Sequence, residues 1–227
     1  MRKIIFLFVS VFIVDFLSAQ TAPPPADNGA VSMANTQGLL RMALTITPSW
    51  CIKGSAGNNS GSISSGRTNV YLHGVLEYYW TEHFSTRGDA YYFVNKDKVD
   101  GGLKHNHSLQ VGCSYHFRKG MGFDPYVGIC AGISLVQVEP MDFTRGDGVV
   151  QVGYQVPAHL EPVWAPRVGM NLFGQHVFHF FLEAQYLIGT YRPPVGPILS
   201  LNEVRVSAGL GFNFVILHKE AVVRPGI

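Results

Sequence analysis

The feature that most constrains this chain is a strict alternation of apolar and polar side chains in separate segments. The segments are residues 38–52, 68–80, 85–95, 106–118, 125–138, 160–172, 177–190 and 202–215. Because successive side chains of a strand point to opposite faces, this period predicts β-strands and not helices. Each segment is close to, or somewhat longer than, the ~9–11 residues with which a tilted strand crosses a membrane.

The charged side chains of these segments fall on one face, and the other face is almost free of charge. In the stretch Asn69–Val94, His73 and Glu77 share a face of the second segment, and Arg87 and Asp89 share a face of the third. The predicted interior polar network comprises Arg41, His73, Glu77, Arg87, Asp89, His116, Arg118, Arg167, Glu183 and Arg205. We expect ion pairs, with Glu77 beside neighbouring arginines, that fill a narrow lumen and fix strand register. A selective pore or a small-ligand site is the alternative use of these charges.

The connections between the segments alternate in length. Short turns at 81–84, 119–124 and 173–176 alternate with longer loops, of which 139–159 is the longest. Short turns on one side and long loops on the other are typical of a transmembrane barrel with periplasmic turns and outer loops. The predicted fold class is therefore all-β, an eight-stranded antiparallel up-and-down transmembrane β-barrel.

A soluble barrel of the lipocalin type is the competing fold for eight alternating strands. Such a barrel would be apolar inside and densely charged outside. Charged residues make up only 14% of this chain, whereas soluble domains have about 25%. Aromatic residues also gather near segment ends, and we predict Trp50, Trp80 and Trp164 as interface aromatics. These features favour the membrane barrel.

The first residues have the pattern of a secretory signal peptide. Arg2 and Lys3 precede an apolar run that is too short for a membrane anchor, and Ala19 is a small residue at the expected cleavage position. We predict a signal peptide over 1–19, a flexible periplasmic lead-in over 20–36, the barrel over 37–215 and a periplasmic tail over 216–227. The remaining chain is nearly neutral, which does not indicate a nucleic-acid partner.

The last segment ends in SAGLGFNF. Its residues Ser207, Gly209, Phe212 and Phe214 resemble the C-terminal assembly signal of bacterial outer-membrane barrels, which the barrel-insertion machinery reads. Residues that follow Phe214, VILHKEAVVRPGI, depart from the usual pattern, in which many chains stop at the signal.

Over roughly residues 38–214 the chain resembles the small eight-stranded bacterial outer-membrane β-barrels, the OmpA-transmembrane and opacity-like group. GVLEYYWTEHFSTRGDAYYF is similar to the strand–turn–strand unit of that family. The resemblance implies a porin-like, multi-pass protein of the Gram-negative outer membrane, in contact with outer-membrane lipid including lipopolysaccharide. We expect no peptidoglycan-binding domain. Family members without it range from adhesins to structural barrels to accessory subunits of envelope machines.

Residues with catalytic or metal-binding chemistry do not form a recognisable constellation in the sequence. His73 and Glu77 share a face but are separated by about 13 Å along a strand, and His107 and Ser108 point to opposite faces. His105 and His107 lie on one face, but two imidazoles without a third ligand make a weak metal site. We predict no catalytic residue, no metal site and no cofactor.

Cysteines and RGD tripeptides carry little functional information here. Cys51, Cys113 and Cys130 form an odd set without a CxxC pair, so we expect neither a disulfide framework nor a zinc site. RGD occurs at 87–89, within a predicted strand, and at 145–147, in the longest outer loop, where an adhesive role is an alternative.

The sequence leaves three functional hypotheses. The first is a structural or interaction role, through outer loops or as an accessory subunit that has protein partners in an envelope complex. The second is a membrane-embedded lipid-modifying enzyme, and the third is a narrow channel.

Overall fold

The chain forms long antiparallel strands in a computed structural model that describes residues 37–52, 68–94, 103–117, 122–144, 148–155, 157–172, 177–193 and 198–215. The long strands are β1 Leu39–Cys51, β2 Thr68–Tyr79, β3 Phe84–Phe93, β4 Leu103–His116, β5 Phe123–Val138, β8 His159–Leu172, β9 Phe178–Tyr191 and β11 Glu203–Val215. The short strands are β6 Met141–Thr144, β7 Val150–Tyr154 and β10 Leu199–Ser200. The predicted signal peptide, lead-in and C-terminal tail lie outside the described residues.

The eight long strands close into a barrel. Each pairs antiparallel with the next long strand along the chain, in the order β1, β2, β3, β4, β5, β8, β9 and β11, and β11 pairs back onto β1. Leu40 lies opposite Phe214 at this closing seam. The predicted eight-stranded up-and-down topology is confirmed. We call the end with the β2–β3, β4–β5 and β8–β9 connections the short-turn end, and the opposite end the long-loop end.

Three differences from the predicted segments lie at the long-loop end, and one of them is β10, a short strand in the predicted connection between 190 and 202. β4 begins at Leu103, before the predicted start at 106. The longest predicted loop contains the hairpin of β6 and β7, a separate two-stranded sheet. Its strands are too short for a clear alternation, and Gly148 and Gly153 have positive φ angles of 83° and 63°, which glycine adopts without steric cost.

The polarity of the barrel is inverted relative to a soluble protein. Outward-facing side chains are large and apolar, as for Leu44 and Ile46, which are 66% and 67% exposed. Most buried charged and polar side chains point into the lumen instead. This arrangement places the apolar belt against lipid and the polar groups in the interior. No helix within the described residues is long and apolar enough to cross a membrane.

Apolar and aromatic side chains pack together in part of the lumen at the long-loop end. The buried residues there come from the ends of β2, β3, β4, β5 and β9 and from the segment around β10: Tyr71, Tyr91, Phe93, Leu103, Val136, Val138, Tyr191, Leu199 and Leu201. The backbone N–H of Leu201 donates to the carbonyl of Gly189 at 3.0 Å, which ties this segment to the wall. We call these nine residues the apolar plug.

Candidate functional site in the barrel interior

The structure places the sequence-predicted polar residues in the lumen. Nine of the ten candidates are buried: Arg41, His73, Glu77, Arg87, Asp89, His116, Arg167, Glu183 and Arg205. Arg118 lies outside the described residues. The buried residues form three clusters along the barrel axis, which we call the lower, middle and upper clusters from the short-turn end to the long-loop end.

The lower cluster is centred on Asp124. Its carboxylate accepts a hydrogen bond from Arg41 Nη1 at 3.0 Å and lies 3.0 Å from His116 Nδ1. Arg41 also donates to the Tyr79 hydroxyl and lies over the Tyr79 ring, 4.6 Å from its centroid. Ser85 donates to Glu77 Oε1 at 2.7 Å. Charged groups out of water are thus paired or hydrogen-bonded, as burial requires.

The middle cluster joins Arg87 to two carboxylates. Its guanidinium binds Glu183 through two parallel contacts, Nη1 to Oε2 at 2.7 Å and Nη2 to Oε1 at 2.9 Å. Its Nε donates to Asp89 Oδ1 at 2.9 Å. Arg167 and His73 also contact Asp89, at 2.7 Å and 2.9 Å. Asp89 therefore has three basic partners, and the fork geometry of arginine suits these bidentate contacts.

The upper cluster holds Arg205 between two aromatic rings. The guanidinium carbon lies 4.4 Å from the ring centroid of Tyr71 and 4.2 Å from that of Tyr91. Arg205 Nε donates to Glu203 Oε1 at 2.7 Å, and the same carboxylate accepts hydrogen bonds from Tyr71 and Ser49. The rings and the carboxylate together replace the water around this cation.

Each cluster contains a bond that crosses the lumen. Arg41 on β1 reaches Asp124 on β5 at 3.0 Å, and Arg87 on β3 reaches Glu183 on β9 at 2.7 Å. Arg205 on β11 donates to Ser108 on β4 at 3.0 Å. The two strands of each pair are diametrically opposite in the eight-strand ring. Side chains therefore span the full width of the lumen at three levels.

A small cavity lies between the lower and middle clusters. Its volume is about 10 Å³, and Arg41, Glu77, Arg87 and His179 contribute to its lining. This volume corresponds to about one water molecule. Nδ1 of His179 has no hydrogen-bond partner within the described residues.

Two acidic residues at the centre of the clusters were missed in the sequence. Asp124 falls in the predicted short turn 119–124, and Glu203 stands next to the predicted start of the last strand. Side-chain parity would have found both, because Asp124 shares a face with Tyr126 and Glu203 shares a face with Arg205.

The lower cluster contains a Ser–His–Asp arrangement that the sequence did not reveal. Ser85 Oγ lies 3.0 Å from His116 Nε2, and His116 Nδ1 lies 3.0 Å from Asp124 Oδ1. The order of the contacts is that of a nucleophile, a base and an orienting acid. However, Ser85 is 1% exposed, and its hydroxyl donates to Glu77. These contacts fully engage the serine inside the barrel.

The two predicted rim histidines lie side by side on β4. His105 and His107 have ring centroids 5.4 Å apart. Nδ1 of His107 accepts the backbone N–H of Phe93 at 3.1 Å, and its ring stacks on Tyr92. Within the part of the chain that the structure describes, no group of three or more His, Cys, Asp or Glu side chains is placed to hold a metal ion.

Residues of the predicted assembly signal lie on β11 beside the closing seam. Phe212 faces outward and packs on Phe178 with ring centroids 5.0 Å apart, and Phe214 stacks with Phe212 at 6.5 Å. Ser207 points inward and lies 2.7 Å from Thr47 Oγ1. Gly209 lets the Phe181 ring pack close to the β11 backbone, because a Cβ added at Gly209 would lie 3.0 Å from that ring.

The three tryptophans predicted at the interfaces all face outward. Trp50 lies near the long-loop end of β1, and Trp80 follows β2 at the short-turn end, where its Nε1 donates to Thr86 at 2.7 Å. Trp164 lies within β8, opposite Ala131 and Ile188, so β8 continues beyond it toward the long-loop end.

Comparison with known proteins shows which solved structures share this fold. No protein-family model matches the chain, and no curated protein matches it significantly in sequence. The crystal structure of Neisserial surface protein A superposes with a TM-score of 0.55 and 12% identity, over 78% of this chain and 98% of that one. The outer membrane protein OprG from Pseudomonas aeruginosa superposes with a TM-score of 0.52 and 14% identity, over 79% of this chain and 97% of that one. With its closed ring of strands and outward apolar belt, the chain has the fold of the small eight-stranded outer-membrane β-barrels of Gram-negative bacteria.

Proposed function

We propose that this protein is a closed barrel with a structural or interaction role in the outer membrane, and not a transport pore or an enzyme. The observation that carries the proposal is the set of three bonds across the lumen, from Arg41 to Asp124, from Arg87 to Glu183 and from Arg205 to Ser108. An eight-stranded barrel has an interior just wide enough for side chains to fill it. Here the filling side chains are held by charge-assisted hydrogen bonds, which are the stronger class.

The long-loop end supports an interaction role. β5 has 16 residues and β4, β8 and β9 have 14 each, whereas about 9–11 residues cross the membrane. These strands therefore extend beyond the apolar belt, and the apolar plug packs between them. A packed core at this level gives the loops a rigid base. We infer that the loops, or a subunit bound to them, perform the protein's role outside the membrane.

Targeting and assembly belong to the same proposal. Residues 1–19 would direct export, the segments 20–36 and 216–227 would remain periplasmic, and the segment from Ser207 to Phe214 would be read by the insertion machinery. Outer-membrane lipid, including lipopolysaccharide, would surround the belt.

The role is tested by gentle detergent extraction of the native protein and identification of what co-purifies. We expect stable protein subunits in stoichiometric amount, and a barrel that purifies alone would contradict an accessory-subunit role. In parallel, the purified barrel in a planar bilayer should give no steady conductance. Stable single-channel currents from the wild type would replace this proposal with the channel.

A lipid-modifying enzyme is the second candidate, and the contacts among Ser85, His116 and Asp124 are what favour it. Burial of Ser85 and its hydrogen bond to Glu77 weigh against it, because a nucleophile needs space for the acyl group that it attacks. A fluorophosphonate probe distinguishes the two. We expect no labelling of the folded barrel. Labelling of the wild type that is lost in Ser85→Ala would establish a reactive serine.

A further inference from the structure

We propose that β9 and β11 open from the barrel wall as one unit, while the other six long strands stay paired with one another. We call these two strands, Phe178–Tyr191 and Glu203–Val215, the closing hairpin. The ladders that join it to β1 and to β8 are the two hairpin borders. This motion follows from the borders and from the prolines beside them, so it does not depend on the role proposed above.

The border between β1 and β11 is interrupted. β1 pairs with β11 over residues 39–43 and again over 49–51, in one constant register. Within these described strands, residues 44–48 have no ladder partner on β11, although they pair with β2 without a gap. A side chain connects the strands there instead, because Thr45 Oγ1 donates to the carbonyl of Ala208 at 2.7 Å.

The border between β8 and β9 is interrupted as well. β8 pairs with β9 over residues 163–164 and 167–172, and within these described strands residues 165–166 have no ladder partner on β9. On its other side β8 pairs with β5 continuously over His159–Leu172. The two strands of the closing hairpin also pair with each other continuously, over residues 203–212 of β11. The hairpin is therefore continuous inside and interrupted at both borders.

Three prolines account for the position of these interruptions. Pro48 on β1 and Pro162 and Pro166 on β8 have no N–H to donate. A strand directs the N–H groups of alternate residues to each neighbour. Because β1 pairs continuously with β2 and β8 with β5, the nitrogen atoms of these prolines face the closing hairpin. Proline in a sheet is confined to edge strands, first residues or bulges. β1 and β8 thus have the prolines of the two edges of a six-stranded sheet.

Contacts across the lumen hold the closing hairpin in place. Glu183 on β9 accepts two hydrogen bonds from Arg87, at 2.7 Å and 2.9 Å, and one from the Tyr126 hydroxyl at 2.7 Å. Arg205 on β11 donates to Ser108 at 3.0 Å. Arg87, Ser108 and Tyr126 belong to β3, β4 and β5, on the opposite wall.

The lumen contacts set how often the hairpin opens. Unpaired backbone groups are costly in lipid, so the open form is a minor population. Opening breaks fewer ladder bonds at the two interrupted borders than it would at a continuous ladder, and the charge-assisted bonds to Glu183 oppose it. Loss of these bonds should therefore release the hairpin and leave the six-stranded sheet intact.

Hydrogen exchange of backbone amides, resolved by residue, tests this motion in the full barrel in detergent micelles. We expect the amides of residues 39–43, 49–51 and 167–172 that donate across the hairpin borders to exchange at one common rate. This rate should be about tenfold or more above that of the β4–β5 and β9–β11 ladders, because local opening exposes only the amides whose bonds it breaks. Equal rates in all ladders, or different rates at the two borders, would overturn the proposal.

Glu183→Gln and Glu77→Gln are matched variants for the lumen contacts. Glu183 is on the closing hairpin, whereas Glu77 contacts Ser85 and His116, so its contacts lie within the six-stranded sheet. Glu183→Gln should raise the exchange rate at both borders several-fold relative to the β4–β5 ladder, and Glu77→Gln should leave this ratio unchanged. The same ratio in both variants would contradict the motion, and the wild-type rates decide the question if a variant does not assemble.

Alanine at the prolines tests the borders directly. Pro48→Ala with Pro166→Ala gives β1 and β8 an N–H that faces the closing hairpin, so exchange at both borders should slow several-fold. Pro125→Ala is the control, because Pro125 lies on β5, which does not border the hairpin. It should leave the border rates unchanged. Unchanged border rates in the double variant, or equal slowing in the control, would show that the prolines do not permit the opening.

Discussion

Glu77 and Arg87 are direct partners across the β2–β3 ladder, yet no ion pair joins their side chains within the described structure. Arg87 binds Asp89 and Glu183 instead, whereas Glu77 accepts the hydroxyl of Ser85 at 2.7 Å and lies 3.4 Å from His116 Nε2. Glu77 therefore lies beside Arg87 in the ladder, but its direct side-chain partners include a serine and a histidine and not this arginine. Arginine is long enough to reach across the lumen, so adjacency in the ladder does not decide its partner.

We predict that Asp89→Asn destabilises the barrel much more than Glu77→Gln. Asp89 has Arg87, Arg167 and His73 as partners, and breaking a buried ion pair costs about 3–5 kcal/mol. Glu77 loses a contact with a hydroxyl and an imidazole, at about 1–3 kcal/mol. Urea unfolding, followed by the shift between folded and unfolded bands on an unheated gel, measures both. Equal midpoints for the two variants would show that Asp89 is not the centre of the network.

We predict that Arg205→Lys destabilises the barrel although it keeps the charge. The planar guanidinium lies between Tyr71 and Tyr91 and contacts Glu203 and Ser108. An ammonium group cannot stack on both rings and reproduce these directions, and the loss of the desolvated cation–π contacts is about 2 kcal/mol. The same urea titration measures the change. A wild-type midpoint would mean that charge alone stabilises the upper cluster.

The sequence predicted the fold because a period of two over eight segments is compatible with few architectures. It also predicted which face of each strand is inside, since parity determines this. It did not predict which side chains form ion pairs and hydrogen bonds with one another. The pairs Arg87 with Glu183 and Arg41 with Asp124 depend on which strands are opposite and on the stagger of the closed ring. The same applies to Ser85, His116 and Asp124, which come from three strands.

We predict that aspartate at Phe212 and Phe214 blocks membrane assembly beyond its effect on lipid contact. A charge on the lipid face costs about 2–4 kcal/mol near the midplane and less near an interface. Phe178→Asp with Phe180→Asp is the matched control, because both residues are exposed aromatics on the adjacent β9, outside the predicted signal. Amounts of folded protein in the outer-membrane fraction compare the variants. If the control and the Phe212 and Phe214 variant lose equal amounts of folded protein, the effect comes from lipid contact and not from recognition by the insertion machinery.

We predict that replacing two glycines of the barrel wall with alanine has opposite effects on the stability of the barrel. Gly132 on β5 lies opposite Gln110 on β4, and an added Cβ would lie 2.7 Å from Gln110 Cα and 2.9 Å from its Cγ. Backbone cannot move away without opening the ladder, so Gly132→Ala should cost about 1–3 kcal/mol, as overpacking does. Gly74→Ala meets no atom within 4 Å and reduces the freedom of the unfolded chain. It should stabilise by about 0.4–1 kcal/mol.

The urea midpoints of the two glycine variants are measured in the same detergent. They show whether packing in the folded barrel or the reduced freedom of the unfolded chain has the larger effect on stability. If the midpoint rises for Gly74→Ala and falls for Gly132→Ala, the β4–β5 wall is as tightly packed as its contacts indicate. A rise in both midpoints would mean that these strands separate enough to accept a methyl group at Gly132. The lumen beside Gln110, which accepts a hydrogen bond from Gln185 at 2.7 Å, would then be wider than the cross-lumen contacts require. In that case, conductance measurements would next test for a path along β4 and β5 that small solutes can use.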